Sequence, residues 1–141
     1  MTAARTVFGS VDELLADARS RLDRLTPDEA ARAVTAGARL VDIRPQWQRA
    51  RDGEVPGSVI VERNHLEWRL HPTSAARLPL TTANQRWIVI CEQGYTSSLA
   101  ADALGSLGLA ATDVVGGFEA WVTAGLPTVA GVSGPDSVLA H

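Results

Sequence analysis

The stretch RWIVICEQGYTSSLAADALGSLG, Arg86 to Gly108, decides the fold. In its first part, Arg86 to Cys91, the run from Trp87 on is unbroken apolar and rich in β-branched residues, the pattern of a strand buried on both faces. Its second part, 97–108, is a run of small residues that predicts a helix. Parallel strands need a crossover, usually a helix, and a strand that passes into a helix through a loop as short as 92–96 is the first half of one.

The flanking segments repeat this alternation. Upstream, Ser10-Val11-Asp12-Glu13 has the form of a capping box, and Val11, Leu14, Leu15, Ala18 and Leu22 predict a helix over 11–24. Thr26-Pro27-Asp28-Glu29 opens a second, shorter helix that Gly37 closes. ARLVDI (38–43) predicts a short buried strand ending in the charges of Asp42 and Arg44, with Pro45 blocking its continuation. PQWQRARDG then reads as a short polar helix or turn, EVPGSVIV as a turn and a strand, and NHLEWRL as a helix capped by Asn64. Downstream, TDVV (112–115) predicts a strand, and Gly116-Gly117 turns into the helix FEAWVTAG, stopped by Pro127. The expected architecture is an α/β domain with a mainly parallel central sheet and helices on both faces, its ligands gathering at the strands' carboxyl ends. Its expected extent is 26–128, preceded by a helical extension over 1–25 packed on it and followed by a flexible tail over 129–141.

Composition excludes several function classes. A chain of 141 residues, 45% of them hydrophobic, suits one domain with a substantial core. The formal charge of −3 comes from 16 acids against 13 bases, and no basic run is long enough to follow a nucleic-acid backbone. One cysteine excludes an internal disulfide and a cysteine-cluster metal site. His65 and His71 have no third ligand at metal spacing, so neither a metal nor another cofactor is expected. MTAARTVFGSVDELL lacks the basic-then-apolar order of a secretory signal, and no apolar run approaches the roughly 18 residues of a membrane span. The expectation is a cytoplasmic protein without membrane contact.

Cys91 is therefore the residue to explain. Free cysteines often pack as small apolar residues at the end of a buried strand. Here, however, Gly94 allows a sharp turn, and the N–H groups of the loop and of the next helix's first turn would converge as a nest of positive potential that favours a thiolate.

Three stretches together resemble the single-domain rhodaneses, a family of sulfurtransferases. CEQGYTS (91–97) is similar to that family's Cys-x-x-Gly-x-[Thr/Ser/Arg] loop. LVDIRPQWQRARDGEVPGSVIV (40–61) is similar to its first signature, which runs from an acid-x-Arg strand end to a Pro-Gly turn. VVGGFEAWVTAGLP (114–127) is similar to its C-terminal Gly-Gly-Phe-x-x-Trp signature. The resemblance implies that Cys91 takes sulfur from a small anionic donor such as thiosulfate and passes it from a persulfide to cyanide or a thiol, with no metal. It implies loop N–H groups from Glu92, Gln93, Gly94, Tyr95, Thr96 and Ser97 around that sulfur. Asp42 and Arg44 are implied as supporting residues that tie loops together.

Individual side chains leave alternatives. Thr96 and Ser97 either donate hydroxyl bonds to sulfur or cap the helix, with Ser97 the better cap. Tyr95 either lines the pocket mouth or covers the loop from outside. Glu92 departs from thiosulfate-preferring rhodaneses, which often carry a cation in the loop, because an acid there repels a dianion unless it pairs with an arginine. Arg63 either supplies the missing charge or pairs with Glu62 or Glu67. A sulfur-relay module that accepts persulfide from a partner protein is the alternative function. Phosphatase or arsenate reductase activity would need an Arg where the Cys-x5-Arg count places Ser97.

Overall fold

The computed structural model describes residues 4–131. Four strands, β1 (Arg39–Asp42), β2 (Val59–Ile60), β3 (Arg86–Ile90) and β4 (Ala110–Asp113), form one sheet in the order β2-β1-β3-β4, and every pairing is parallel. The helices are α1 (Val11–Arg19), α2 (Pro27–Thr35), α3 (Gln46–Asp52), α4 (Leu66–Leu70), α5 (Thr96–Ser106) and α6 (Gly117–Thr123). The expected α/β class with helices on both faces is the one observed.

Side-chain alternation along β3 divides the core. Trp87, Val89 and Cys91 enter the cluster that also holds Leu66, Leu70 and Ala100, Ala101 and Leu104 of α5. Ile88 and Ile90 enter the opposite cluster with Ala30 of α2 and Phe118 and Trp121 of α6. Cys91 follows the last residue of β3 on the α5 side, so its thiol meets the start of the helix that follows it. Trp87 and Trp121 are buried, whereas Trp47 and Trp68 are 62% and 60% exposed and lie outside both clusters.

Local structure departs from expectation at several points. The helix expected over 11–24 ends at Arg19. Leu22 packs against the first cluster and Leu25 against the second, and residues three apart on a helix share a face, so the chain must leave the helix to serve both sides of the sheet. Leu25 then runs parallel to β4, its N–H donating to the Asp113 carbonyl at 3.0 Å while Val115 N–H donates to the Leu25 carbonyl at 2.8 Å. At Ser10 the cap holds, but Glu13 accepts from Gly9 N–H instead of closing the box on Ser10; Thr26 and Glu29 form the complete box. Asn64 caps nothing, because a 3₁₀ turn over Arg63–His65 leads straight into α4. β4 begins and ends two residues before the expected 112–115, since the turn at Gly116 (φ 76) forces the chain out of the sheet. Of the tail expected from 129, Val129 exchanges two backbone hydrogen bonds of 2.8 Å with Glu54, and 132–141 lie outside the described residues. No helix among the described residues is long and apolar enough to cross a membrane.

Candidate active site

The carboxyl end of β3 places Cys91 at the foot of the loop into α5. Its side chain is 4% exposed, and Sγ accepts from the N–H of Gly94 at 3.2 Å and of Ser97 at 3.4 Å. The thiol is buried, but two main-chain amides face it and a cavity of about 260 Å3 opens beside it, walled by Ile43, Arg44, Gln48, Glu92, Tyr95 and Thr96.

Glycines make this loop possible. Gly94 has φ +85, and a Cβ there would stand 2.8 Å from Gly116 N. Gly117 has φ +62, and its Cβ would stand 2.5 Å from the Cys91 carbonyl oxygen and 2.7 Å from Gly94 N. The loop and the Gly-Gly turn thus touch backbone to backbone. Phe118 N–H donates to the Cys91 carbonyl at 2.8 Å and Glu119 N–H to that of Glu92 at 3.0 Å, which turns these carbonyls into α6 and away from the cavity.

On the cavity side, Arg44 is the hub. It is buried and binds Asp42 through Nη2 at 2.7 Å, the Gly53 carbonyl at 2.7 Å and Glu92 at 3.1 Å, while its guanidinium lies 3.9 Å from the Phe118 ring centroid. Burial works against its charge, yet the Asp42 and Glu92 carboxylates hold its pKa above the ordinary value. The acid expected to trouble the thiolate is therefore paired with an arginine. Burial, and then a hydrogen bond with Asp52, raise the Glu92 pKa against the pull of Arg44. Asp52 is lowered to about 2, first by Arg51 and then by Glu92.

The remaining candidates divide. Thr96 lines the cavity and is exposed, whereas Ser97 caps nothing: its hydroxyl turns away and donates to Asp113 Oδ2 at 2.7 Å, so only its N–H reaches the sulfur. Tyr95 is 60% exposed at the cavity mouth, and Gln93, also exposed, hydrogen-bonds Glu119 at 3.3 Å. Arg63 does not line the cavity; of its two alternatives the structure shows the pairing, with Glu67 at 2.8 Å one turn along. Among the described residues no group of three His, Cys, Asp or Glu could hold a metal ion.

Sequence reasoning missed the support beneath the loop. Arg19 of α1 donates to the Gly94 carbonyl at 2.7 Å and to Ser98 Oγ at 3.0 Å. Arg24 donates to the same carbonyl at 3.1 Å and grips Asp113 at 2.8 and 3.1 Å. Asp113, fully buried, also accepts from the Ser97 and Ser98 hydroxyls, each at 2.7 Å. The signal available was an acid at the end of an apolar strand, since a buried carboxylate needs a cation.

Comparison with known proteins adds the following. Residues 26–124 match the family model described as a rhodanese-like domain. No curated protein matches the sequence. Among solved structures, a Rhodopseudomonas palustris protein of unknown function, described as a possible tyrosine phosphatase, is similar at 30% identity and TM-score 0.79, over 91% of this chain and 100% of that one. A thiosulfate sulfurtransferase from Pseudomonas aeruginosa is similar at 29% identity and TM-score 0.65, over 85% of this chain but 21% of that longer one. The human single-domain sulfurtransferase shares the fold at 23% identity and TM-score 0.59, over 71% of this chain and 95% of that one.

Proposed function

The chain belongs to the rhodanese-like family, and from that premise we propose that it is a sulfurtransferase that carries sulfane sulfur as a persulfide on Cys91. One observation carries the reading: Sγ receives two main-chain N–H groups at the edge of a cavity large enough for a small donor. In the first half-reaction the Cys91 thiolate attacks the outer sulfur of the donor. With thiosulfate, the new S–S bond forms as the donor's S–S bond breaks, sulfite leaves with the electron pair, and Cys91–S–S⁻ remains. In the second, cyanide or a thiolate attacks the outer sulfur and regenerates the thiolate. Both half-reactions use one nucleophile, so the kinetics are ping-pong. The amides of Gly94 and Ser97 are fixed before reaction and stabilise the anionic sulfur without rearrangement.

Intact mass before and after thiosulfate tests this. A gain of one sulfur atom, lost on adding cyanide and absent in Cys91→Ser, is the expected result; an unchanged mass with every sulfane donor offered would refute the covalent route. Glu92 on the cavity wall favours a second donor class, a protein persulfide delivered by a desulfurase, over a free dianion. Loading by a cysteine desulfurase but not by thiosulfate identifies that relay role. The phosphatase description of the Rhodopseudomonas relative motivates one control. Ser97 occupies the position of the phosphate-binding arginine, so an aryl phosphate is expected to remain uncleaved in the same assay.

A further inference from the structure

Two arginines from outside the family-matched segment end on one carbonyl of the Cys91 loop. Arg19 lies on α1 and Arg24 on the strand-like run beside β4, and both donate to Gly94 O, at 2.7 and 3.1 Å. Each is held from behind. Arg19 also binds Ser98 Oγ, and Arg24 binds both oxygens of buried Asp113, which in turn receives the Ser97 and Ser98 hydroxyls. Ser97 is the residue whose N–H reaches Sγ, so the same small network holds both ends of the loop segment that faces the sulfur.

We propose that Arg19 and Arg24 are positioning residues for sulfur transfer, which fix the Gly94–Tyr95 peptide so that the flanking amides of Gly94 and Ser97 stay turned toward the sulfur of Cys91. This rests on the sulfurtransferase reading. A trans peptide directs its N–H opposite to its C=O. Anchoring Gly94 O on the arginine side therefore fixes the Tyr95 N–H on the other side of the loop and prevents a peptide flip that would aim an oxygen at an anionic sulfur. Gly94 makes the anchor necessary: a glycine with φ +85 has more backbone freedom than any other residue, so nothing intrinsic prevents the peptide from rotating. The two guanidiniums against one carboxylate also leave a surplus positive charge beneath the loop.

The test is the second-order rate of Cys91 alkylation by iodoacetamide at neutral pH, measured on full-length variants whose folding is checked by their melting curves. Arg19→Gln is expected to slow alkylation roughly tenfold, less than the loss from deleting an oxyanion donor outright. Arg19→Lys, which keeps a cationic donor, is expected to recover most of the rate. Arg21→Gln is the control: Arg21 bonds Asp17 and Asp102 and ties α1 to α5 without touching the loop, so its rate should stay within about twofold of wild type. Arg24→Gln alone would strand a buried carboxylate, so it is made together with Asp113→Asn, and this pair is also expected to alkylate roughly tenfold slower. Wild-type rates in folded Arg19→Gln and in the Arg24/Asp113 double variant overturn the proposal, as does a loss in Arg19→Gln that lysine fails to restore. Alkylation needs no sulfur donor. A wild-type protein that alkylates in this pattern yet never gains sulfur would therefore sink the transferase reading and leave the positioning role standing.

Discussion

The Cys91 loop lies between two clusters of ionic groups with opposite balance. On the cavity side, Arg44 and Arg51 meet three acids, Asp42, Glu92 and Asp52. Beneath the loop, Arg24 grips one acid, Asp113, and Arg19 joins the same network through the Ser98 hydroxyl. The first cluster is formally −1 and the second +1. A site that stabilised anionic sulfur with a cation in its cavity would show the reverse. Here the cavity's arginine is consumed by two carboxylates, and the surplus positive charge reaches the sulfur only through the main chain. Burial differs as well: Asp113 is sealed, while Asp52 keeps 27% of its side-chain surface in water.

The largest expected effect comes from breaking the lower cluster. Asp113→Ala strands Arg24 and two hydroxyls in the interior, a loss of about 3–5 kcal/mol. Its melting temperature should fall by roughly 10 °C or more. Asp52→Asn, at the solvent edge of the upper cluster, should change it by no more than about 2 °C. Equal drops in thermal denaturation would show that the two clusters are not the structural opposites described above.

A second variant moves the loop while leaving both clusters intact. In Gly117→Ala the new Cβ would lie 2.5 Å from the Cys91 carbonyl oxygen, 2.7 Å from Gly94 N and 2.8 Å from Gln93 N, all main-chain atoms that cannot rotate aside. With φ +62 adding strain, the loop must shift, and sulfur transfer should fall about 10²-fold, the scale of losing one fixed amide donor. Gly105→Ala is the matched control, since its Cβ within α5 meets nothing within 4 Å and alanine favours the helix. Steady-state rates for the pair separate loop geometry from charge.

Asp42, Arg44 and Glu92 of the upper cluster and the loop were legible in the sequence, while Arg51, Asp52 and the lower cluster were not, and the reason is physical. Cys91, Glu92 and Gly94 fall within one short loop segment, and Asp42 and Arg44 mark a strand end whose neighbour in a parallel sheet must be another strand end. Arg19 and Arg24, by contrast, lie 75 and 70 residues from Gly94 in sequence. They meet it because α1 packs against α5 and the run carrying Leu25 lies beside β4. Helical periodicity over 11–24 says nothing of what Arg19 reaches, and it extends the helix through the residues that instead cross the sheet edge. Short-range patterns reveal which face of an element is apolar, but not which strand edge a departing chain will follow. Arg63 shows the converse: its pairing with Glu67, one of the two alternatives open to it, is a contact one helical turn away that local spacing does reveal.

Charge at the cavity wall can be altered by one atom. Glu92→Gln keeps the side chain's shape and removes the upper cluster's excess negative charge. If that charge repels a dianion, kcat/KM with thiosulfate should rise by about fivefold, and the rate with neutral iodoacetamide should change less. A fall with thiosulfate would mean that the carboxylate serves the reaction and that the contrast between the clusters is not one of repulsion and attraction.

The smallest effect lies in how the two neighbouring carboxyls of the upper cluster respond to pH. Glu92 has its pKa raised above the ordinary 4.5 in the folded protein, so the native state binds that proton more tightly than the unfolded chain does. Its contribution is complete below pH 4.5 and is lost as pH rises through the raised value. Asp52 behaves oppositely: lowered from 3.8 to about 2, it contributes above pH 3.8 and loses that contribution as pH falls toward 2. The melting temperature of wild type relative to Glu92→Gln should therefore decline by about 1–2 °C between pH 4 and pH 7. Wild type relative to Asp52→Asn should gain between pH 2 and pH 4. A constant difference for Glu92→Gln between pH 4 and pH 7 would mean that Arg44 balances burial and Asp52, leaving Glu92 as readily ionised in the fold as in the open chain. The repulsion at the cavity wall would then persist down to the ordinary carboxyl range near pH 4.5, instead of easing at the higher pH that a raised pKa implies.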